Sequence, residues 1–379
     1  MHIIIHIGMD VHSTNYTLSA CSLQVDPGTG VLEEKVTSPV QIEPDYNLVL
    51  SYMNRIRSAY SNDTVEFQCG YEAGCLGYSL YHQLTKAGVK CVILAPSTMA
   101  VSTKSKIKKT DKRDAEQIAK CLAYGTYKSV YIPSDQDNEI KEYIRMRDDH
   151  KLALKKVKQQ ILAFCLRNGF SYASNYWTVA HLAWLRSTPM TPYFREILDE
   201  YLLTYQNLAD KLERLDQRIE QFAELPAYHE KVMRLTCLIG VKTHTAMATI
   251  VETGDFSRFA SADKYAAFLG LIPKERSSGD SQCLSCITKA GNSHIRMLLT
   301  ESAQCYSRGA VGYKSKVLKS RQKDNPPKTI AYADKANERL RRKYYHMTQH
   351  GKKYNVAKTA IARELACFIW GMMTDHMDA

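Results

Sequence analysis

Eight side chains, Leu198, Tyr201, Tyr205, Leu208, Leu212, Leu215, Ile219 and Phe222, recur at spacings of 3, 4, 3, 4, 3, 4 and 3. That is a heptad seam, the mark of a long helix that must lay one apolar stripe against a second helix. A weaker seam of the same spacing runs upstream through Tyr143, Arg147, His150, Leu154, Val157, Ile161 and Phe164. Arg147 and His150 interrupt it, which leaves its first half open to another partner. Between the seams, residues 169–192 carry Gly, Asn, Ser and Pro punctuation. The expectation is a coiled-coil helical hairpin over 137–226 that separates two end domains or pairs between subunits. At 379 residues the chain is long enough for such a division.

The N-terminal domain, 1–130, reads as strands and helices. His2–Asp10 and Asn15–Leu23 are β-rich, and the turn residues of DPGTG lead to Val31–Val36 as a hairpin partner. Asp45–Tyr60 has helical periodicity, Thr64–Glu72 is a strand, Cys75–Ala87 a helix closed by Gly88, and Val89–Leu94 a strand. Asp111–Ala123 is then helical. A meander followed by alternating β and α elements is the order of an α/β ribonuclease H-like (ruvC-like) fold, whose first and fourth strands lie side by side under a closing helix. Acids stand at the matching places: Asp10 and Glu72 end strands, and Asp111 and Asp114 lie three apart on the helix, on one face. Four carboxylates meeting there would repel by several kcal/mol unless divalent cations neutralised them.

The C-terminal domain, 231–379, reads as mainly α. Leu235–Ala246 is a helix-hairpin-helix-like turn around Gly240, the kind that offers backbone N–H groups to phosphate, with Lys242 beside it. Pro273–Arg296 reads as a polar loop bracketed by cations, with Ser277, Ser278 and Gly279 at its centre. The stretch 314–353 holds thirteen Lys/Arg against three Asp/Glu, interspersed with tyrosines, which suits a nucleic-acid backbone and stacked bases. A net charge of +12 fits a polyanionic partner. Asn355–Met373 is amphipathic and then apolar, a core helix rather than an anchor. Eleven scattered cysteines, no leader and no spanning apolar run point to a reduced, cytoplasmic protein with no membrane partner. Cys283 and Cys286 lack the second pair that a zinc site requires.

These motifs resemble a known family. GMDVH, YEAGCLGYSLYHQL and KTDKRDAEQIAKCL are similar to the ruvC-like domain of the DEDD transposases of the insertion sequence 110 family, which also include site-specific DNA invertases. LIGVKTHTA, ETGDFSRFASADKYAAFLGLIP, RSSGDSQ, ITKAGNSHIRMLLTESA and VAKTAIARELACFIWGMM resemble its C-terminal transposase domain. The resemblance implies an acidic tetrad of Asp10, Glu72, Asp111 and Asp114 holding Mg²⁺ (or Mn²⁺). It also implies a nucleophilic serine at Ser278, with Ser277 adjacent, that forms a phosphoserine–DNA intermediate. Acids and serine come from different domains, so a composite site, completed within a dimer or tetramer, is expected. Double-stranded donor and target DNA are the implied partners, with an element-encoded guide RNA as a further expectation, in a bacterial or archaeal nucleoid. Lys109, Lys112, Arg113, Lys242, Arg276, Lys289, Asn292 and Arg296 are the expected nucleic-acid contacts. The chain departs from the family at Lys242 and Thr243, where a turn Gly and a Pro are usual, and at CLSC after the serine. Two other readings stay open: a ruvC-like junction nuclease that uses water, and a non-catalytic nucleic-acid-binding protein.

Overall fold

Ile3, Ile5, Ile7 and Met9 alternate along one strand, and all four side chains are buried. This strand, β1 (His2–Val11), is the centre of a mixed sheet. A computed structural model describes residues 2–25, 28, 30–60, 64–74, 76–96, 99, 110–278 and 281–377, and gives backbone alone for 275–278 and 281–285. The chain divides into two compact units, 1–132 and 133–379.

In the first unit, β1 is followed by β2 (Tyr16–Val25), β3 (Leu32–Val36), the short β4 (Val40–Ile42), helix α1 (Tyr46–Ser58), β5 (Thr64–Glu72), α2 (Ser79–Lys86), β6 (Lys90–Leu94) and α3 (Asp111–Ala123). The strand order is β3-β2-β1-β5-β6, with β4 on β2. β1 and β2 pair antiparallel, whereas β1, β5 and β6 run parallel, with α1 and α2 in the crossovers. Met9 lies opposite Tyr71, so Asp10 and Glu72 close adjacent parallel strands at the same end. Helix α2 begins at Ser79, later than the expected Cys75, and β4 carries too few residues for a periodic signal.

Helix α3 lies on β1, β2 and β5, and Gly8 explains how closely it approaches. A Cβ added at Gly8 would stand 2.2 Å from both the Ala115 carbonyl oxygen and the Ala119 nitrogen, inside the helix backbone. Only glycine allows that distance. Ala115 and Ala119 present the matching small face, while Ile118, Cys121 and Leu122 are buried beside it. At the far end of α3, Lys120 Nζ and the Tyr124 hydroxyl donate to Glu34 on β3, at 2.5 and 2.9 Å. Gly8→Ala is therefore expected to displace α3, lowering stability by about 1–3 kcal/mol and cutting activity through Asp111 and Asp114. Thermal unfolding and a cleavage assay on the same preparation check this.

The second unit contains α4 (Asp135–Arg167), α5 (Val179–Ser187), α6 (Pro192–Ala223), α7 (His229–Leu235), α8 (Thr243–Thr253), α9 (Ala262–Phe268), the hairpin β7 (Pro273–Ser278) and β8 (Ser281–Ile287), α10 (Ser293–Ala303), α11 (Lys316–Gln322), α12 (Pro327–Gln349) and α13 (Tyr354–Met373). Helices α4 and α6 run antiparallel, as the pairs Arg147–Asp216, Lys158–Tyr205 and Phe164–Tyr201 require. Leu198, Leu212, Leu215 and Ile219 of the seam are buried. Arg147 does not open the first half of α4 to another partner. Its guanidinium forks onto Asp216 of α6, at 2.7 and 2.9 Å, and the same half of α4 packs on α8.

The core of this unit gathers on α13, whose Ile361, Leu365 and Ile369 are fully buried against α9, α10 and α12. Among the described residues, no helix is long and apolar enough to cross a membrane. Residues 273–278 and 281–287 pair as antiparallel strands where the sequence suggests a loop, with Arg276 opposite Cys283 and Ser278 opposite Ser281. Neither strand alternates apolar with polar side chains, so the period of two was absent from the sequence.

Candidate active site

Asp10 lies near the C-terminal end of the central strand β1, and its half-buried carboxylate meets two neighbours. His12 Nε2 lies 3.4 Å from Asp10 Oδ2 and 3.9 Å from Asp111 Oδ1. One ligand atom from each of Asp10, His12 and Asp111 falls within 4.8 Å of the others, a spacing that a single divalent cation can span. His12 and Asp111 are each about half exposed, so the group is open to solvent. Burial pushes the Asp10 carboxyl up from its ordinary range, His12 pulls it down, and the charges of Asp111 and Asp114 push it up again. That crowding of like charge on a half-buried acid fits a cation as the missing partner.

Asp114 stands one turn beyond Asp111 on α3, and Glu72 is half-buried at the end of β5. Neither belongs to the group of three, although Asp114 is close enough to act on the charge of Asp10. The sequence reading missed His12. The only trace in the sequence is that His12 follows Asp10 by two residues, just past the end of β1. If His12 contributes to the centre, His12→Ala is expected to weaken Mn²⁺ binding by roughly 10–100-fold, read by metal titration without DNA.

The expected nucleic-acid contacts divide. Lys112 and Arg113 are exposed in the first turn of α3, next to the acids, and Lys109 lies outside the described residues. Lys242 is exposed at the N-cap of α8, and Lys289 is exposed with φ +57°. Gly240, at φ +82°, packs its turn onto α10, where a Cβ would meet the Ser302 carbonyl at 2.3 Å. The Ile239 N–H in this turn donates to Asn337 Oδ1, so that group is taken up by the fold. Asn292 caps α10 and donates to Glu252, and Arg296 Nη1 donates to the Leu269 carbonyl, so both hold the unit together. The backbones of Arg276 and Ser278 lie in β7.

A second polar constellation, in the helical unit, had no sequence signature. His294 on α10 bridges two buried acids, with Nε2 2.8 Å from Asp148 on α4 and Nδ1 2.9 Å from Glu252 on α8. Arg147 and Arg145 complete it from α4, on Asp148 and Glu252. His244 Nε2 lies 3.0 Å from Asp148 Oδ1. Burial opposes charge on His294, yet the two acids outweigh it and raise its pKa to about 9. Burial likewise opposes charge on Glu252, but His294, Arg145 and Asn292 hold it at about 2. Asp148 is held below the ordinary carboxylate range by the same kind of balance.

Acids and a histidine gathered at the C-terminal end of the central strand, in a chain of net charge +12, form a candidate cation site on a basic protein. Comparison with known proteins makes the assignment specific. A DEDD-type model described as "Transposase" matches residues 7–170, and one described as "Transposase IS116/IS110/IS902 family" matches 233–315. A transposase of Sinorhizobium fredii is 32% identical over 323 residues, covering 84% of this chain and 78% of its own. The transposase for insertion sequence element IS1533 of Leptospira borgpetersenii is 27% identical, over 92% of this chain and 98% of its own. The pilin gene-inverting protein of Moraxella bovis is 26% identical over 59% of this chain and 62% of its own. The chain belongs to the IS110 family of DEDD transposases, and is an enzyme of DNA transposition and recombination.

Proposed function

We propose that the chain cuts and rejoins DNA through a ribonuclease H-like acidic centre and a serine nucleophile. The observation that carries this reading is the convergence of Asp10, His12 and Asp111 at the end of a parallel strand pair. Asp10, Glu72, Asp111 and Asp114 would hold Mg²⁺ or Mn²⁺. When bound, the ion would supply Lewis-acid polarisation of a scissile phosphate and neutralise developing charge. Gly8 and the Glu34 contacts keep α3, and with it two of the acids, against β1. Lys112 and Arg113 would bring the phosphodiester to those acids by charge.

The acids lack a nucleophile of their own, and Ser278 of the helical unit would supply it. Its Oγ would bond to phosphorus as one P–O bond of the strand breaks, the hydroxyl proton leaving with the released strand end. The resulting phosphoserine conserves the bond for a second DNA end, so no net hydrolysis occurs. The α4–α6 hairpin serves as a coiled-coil spacer or subunit contact in a dimer or tetramer. An element-encoded RNA would pair with target and donor DNA, and co-purification of one defined small RNA tests that part.

The chemistry is tested with a nicked or junction DNA, Mg²⁺ and denaturing gels. A covalent protein–DNA adduct that disappears in Ser278→Ala, with DNA binding retained, is the expected result. Cleavage that survives Ser278→Ala but not Asp10→Ala would instead make the chain a junction nuclease using water.

A further inference from the structure

The strong positive charge of residues 314–353 is not spread evenly over a solvated face. Lys314 pairs with Asp334, Arg339 and Lys343 pair with Glu364, and Arg342 pairs with Glu338. Arg321 and Arg341 are different: with Arg308 they line a cavity of about 300 Å³, together with Ile239, Leu318 and Tyr313. Among the described residues, no carboxylate comes within 4 Å of any of these three guanidinium groups. Arg321 Nη1 donates to the Val241 carbonyl at 2.6 Å, and Arg341 Nη1 to the carbonyls of Ala310 and Tyr313 at 2.5 and 3.1 Å. The Nε atoms of both find no partner.

Such an arrangement is costly for folding alone. Arg341 is 95% buried, at 5% exposure. Burial lowers Arg321 from its ordinary pKa, opposed only by thiols and a phenol. One buried cation, Arg341, one partly buried, Arg321, and a third at the rim, answered by carbonyl dipoles, leave a concave positive site that an anion would complete. The rim is built for a flat partner too. Tyr313 is 61% exposed, and its ring edge and the Arg341 guanidinium both lie within 4 Å of one point above Gly309, at 3.7 and 3.5 Å. The loop that carries it is fixed from α12, since Tyr345 donates to the Gly309 carbonyl while Arg341 holds Ala310 and Tyr313. A fixed aromatic beside an arginine-lined hollow matches an unpaired nucleotide, with its phosphate in the hollow and its base on the ring. A duplex keeps its bases stacked inside and cannot use the ring.

We infer that the cavity between the 308–313 loop and helices α11 and α12 binds one unpaired nucleotide of single-stranded nucleic acid, its phosphate held by Arg308, Arg321 and Arg341 and its base stacked on Tyr313. This rests on the reading of the chain as a nucleic-acid recombinase, and assigns one contact within it. RNA and DNA share the required chemistry.

The test uses full-length protein and fluorescein-labelled 20-mers of one mixed sequence, as single-stranded RNA, single-stranded DNA and duplex DNA. Anisotropy titrations at several salt concentrations compare the wild type with Arg308→Ala, Tyr313→Ala and the double variant. Both side chains are exposed, so the variants are expected to keep the wild-type melting temperature. The expected result is at least about a tenfold loss of single-strand affinity in the double variant, with duplex affinity changed less than about twofold. Arg308→Ala should also reduce the single-strand salt slope by about one. Whichever sugar binds more tightly identifies the source of the nucleotide. Unchanged single-strand binding, equal losses for single strand and duplex, or a wild type that binds no single strand would each overturn the inference. Adduct formation on junction DNA, scored in the same preparations, reports on the recombinase reading separately. Wild-type adduct with unaltered variant binding sinks only the nucleotide site, whereas selective binding loss without wild-type adduct sinks only the serine chemistry.

Discussion

Asp10→Asn is expected to lower Mg²⁺-dependent strand cleavage by at least about 10³-fold, on the scale of losing a preorganised charge contact in an active site, while DNA binding stays close to wild type. Asn keeps the shape of the side chain and removes one negative charge from a group that already repels its neighbours. Burial and the charges of Asp111 and Asp114 disfavour the ionised Asp10 carboxylate, with only His12 opposing them. Neutralising it therefore relieves strain in the protein without metal, and the variant should melt no lower than the wild type. A functional acid is distinguished from a structural one by this pairing of lost activity with undiminished stability. Single-turnover cleavage of a junction substrate, with thermal melts recorded with and without Mg²⁺, gives both readouts. A variant that cleaves within tenfold of wild type would remove Asp10 from the metal centre. One that loses several degrees of melting temperature would make its role structural.

The sheet and its acids were legible in the sequence because their signals are local. Strand runs at 2–10 and 64–72 end on Asp10 and Glu72, and helix periodicity begins at Asp111. The parallel register that brings Asp10 beside Glu72 follows once the crossover helix α1 is recognised. His12 was missed because an imidazole two residues after an acid gains meaning only when α3 supplies Asp111 from a hundred residues away. The β7–β8 hairpin was missed for a different reason: PKERSS and SQCLSCI pair through their backbones, and no regular alternation of apolar and polar residues marks both runs in the sequence. Long-range polar networks leave least trace of all. Asp148, Glu252 and His294 stand on three helices, and each looks like a solvated helix residue until the helices pack.

That network carries the second large effect. Asp148→Asn is expected to destabilise the helical unit by about 3–5 kcal/mol, the usual result of removing one member of a buried, hydrogen-bonded charge group. His294 would keep Glu252 but lose half of what sustains its charge, and Arg147 would keep only Asp216. The pH dependence follows from the direction of each shift. His294 is raised from 6.5 to about 9, so its charge contributes stability in full below pH 6.5, and that contribution is lost as pH rises through about 9. A shift of that size corresponds to roughly 3 kcal/mol, shared with the acids rather than added to theirs. Glu252 is lowered from 4.5 to about 2, so its contribution is present above pH 4.5 and lost as pH falls through about 2. Stability should therefore be flat between about pH 4.5 and 6.5 and decline toward pH 9.5, with a much weaker decline in Asp148→Asn. All three tryptophans, Trp177, Trp184 and Trp370, lie in this unit, so urea unfolding followed by intrinsic fluorescence reports on it selectively. Parallel alkaline declines in wild type and variant would mean that His294 is neutral in the folded protein, and that the three helices are held by packing and the arginine pairs alone.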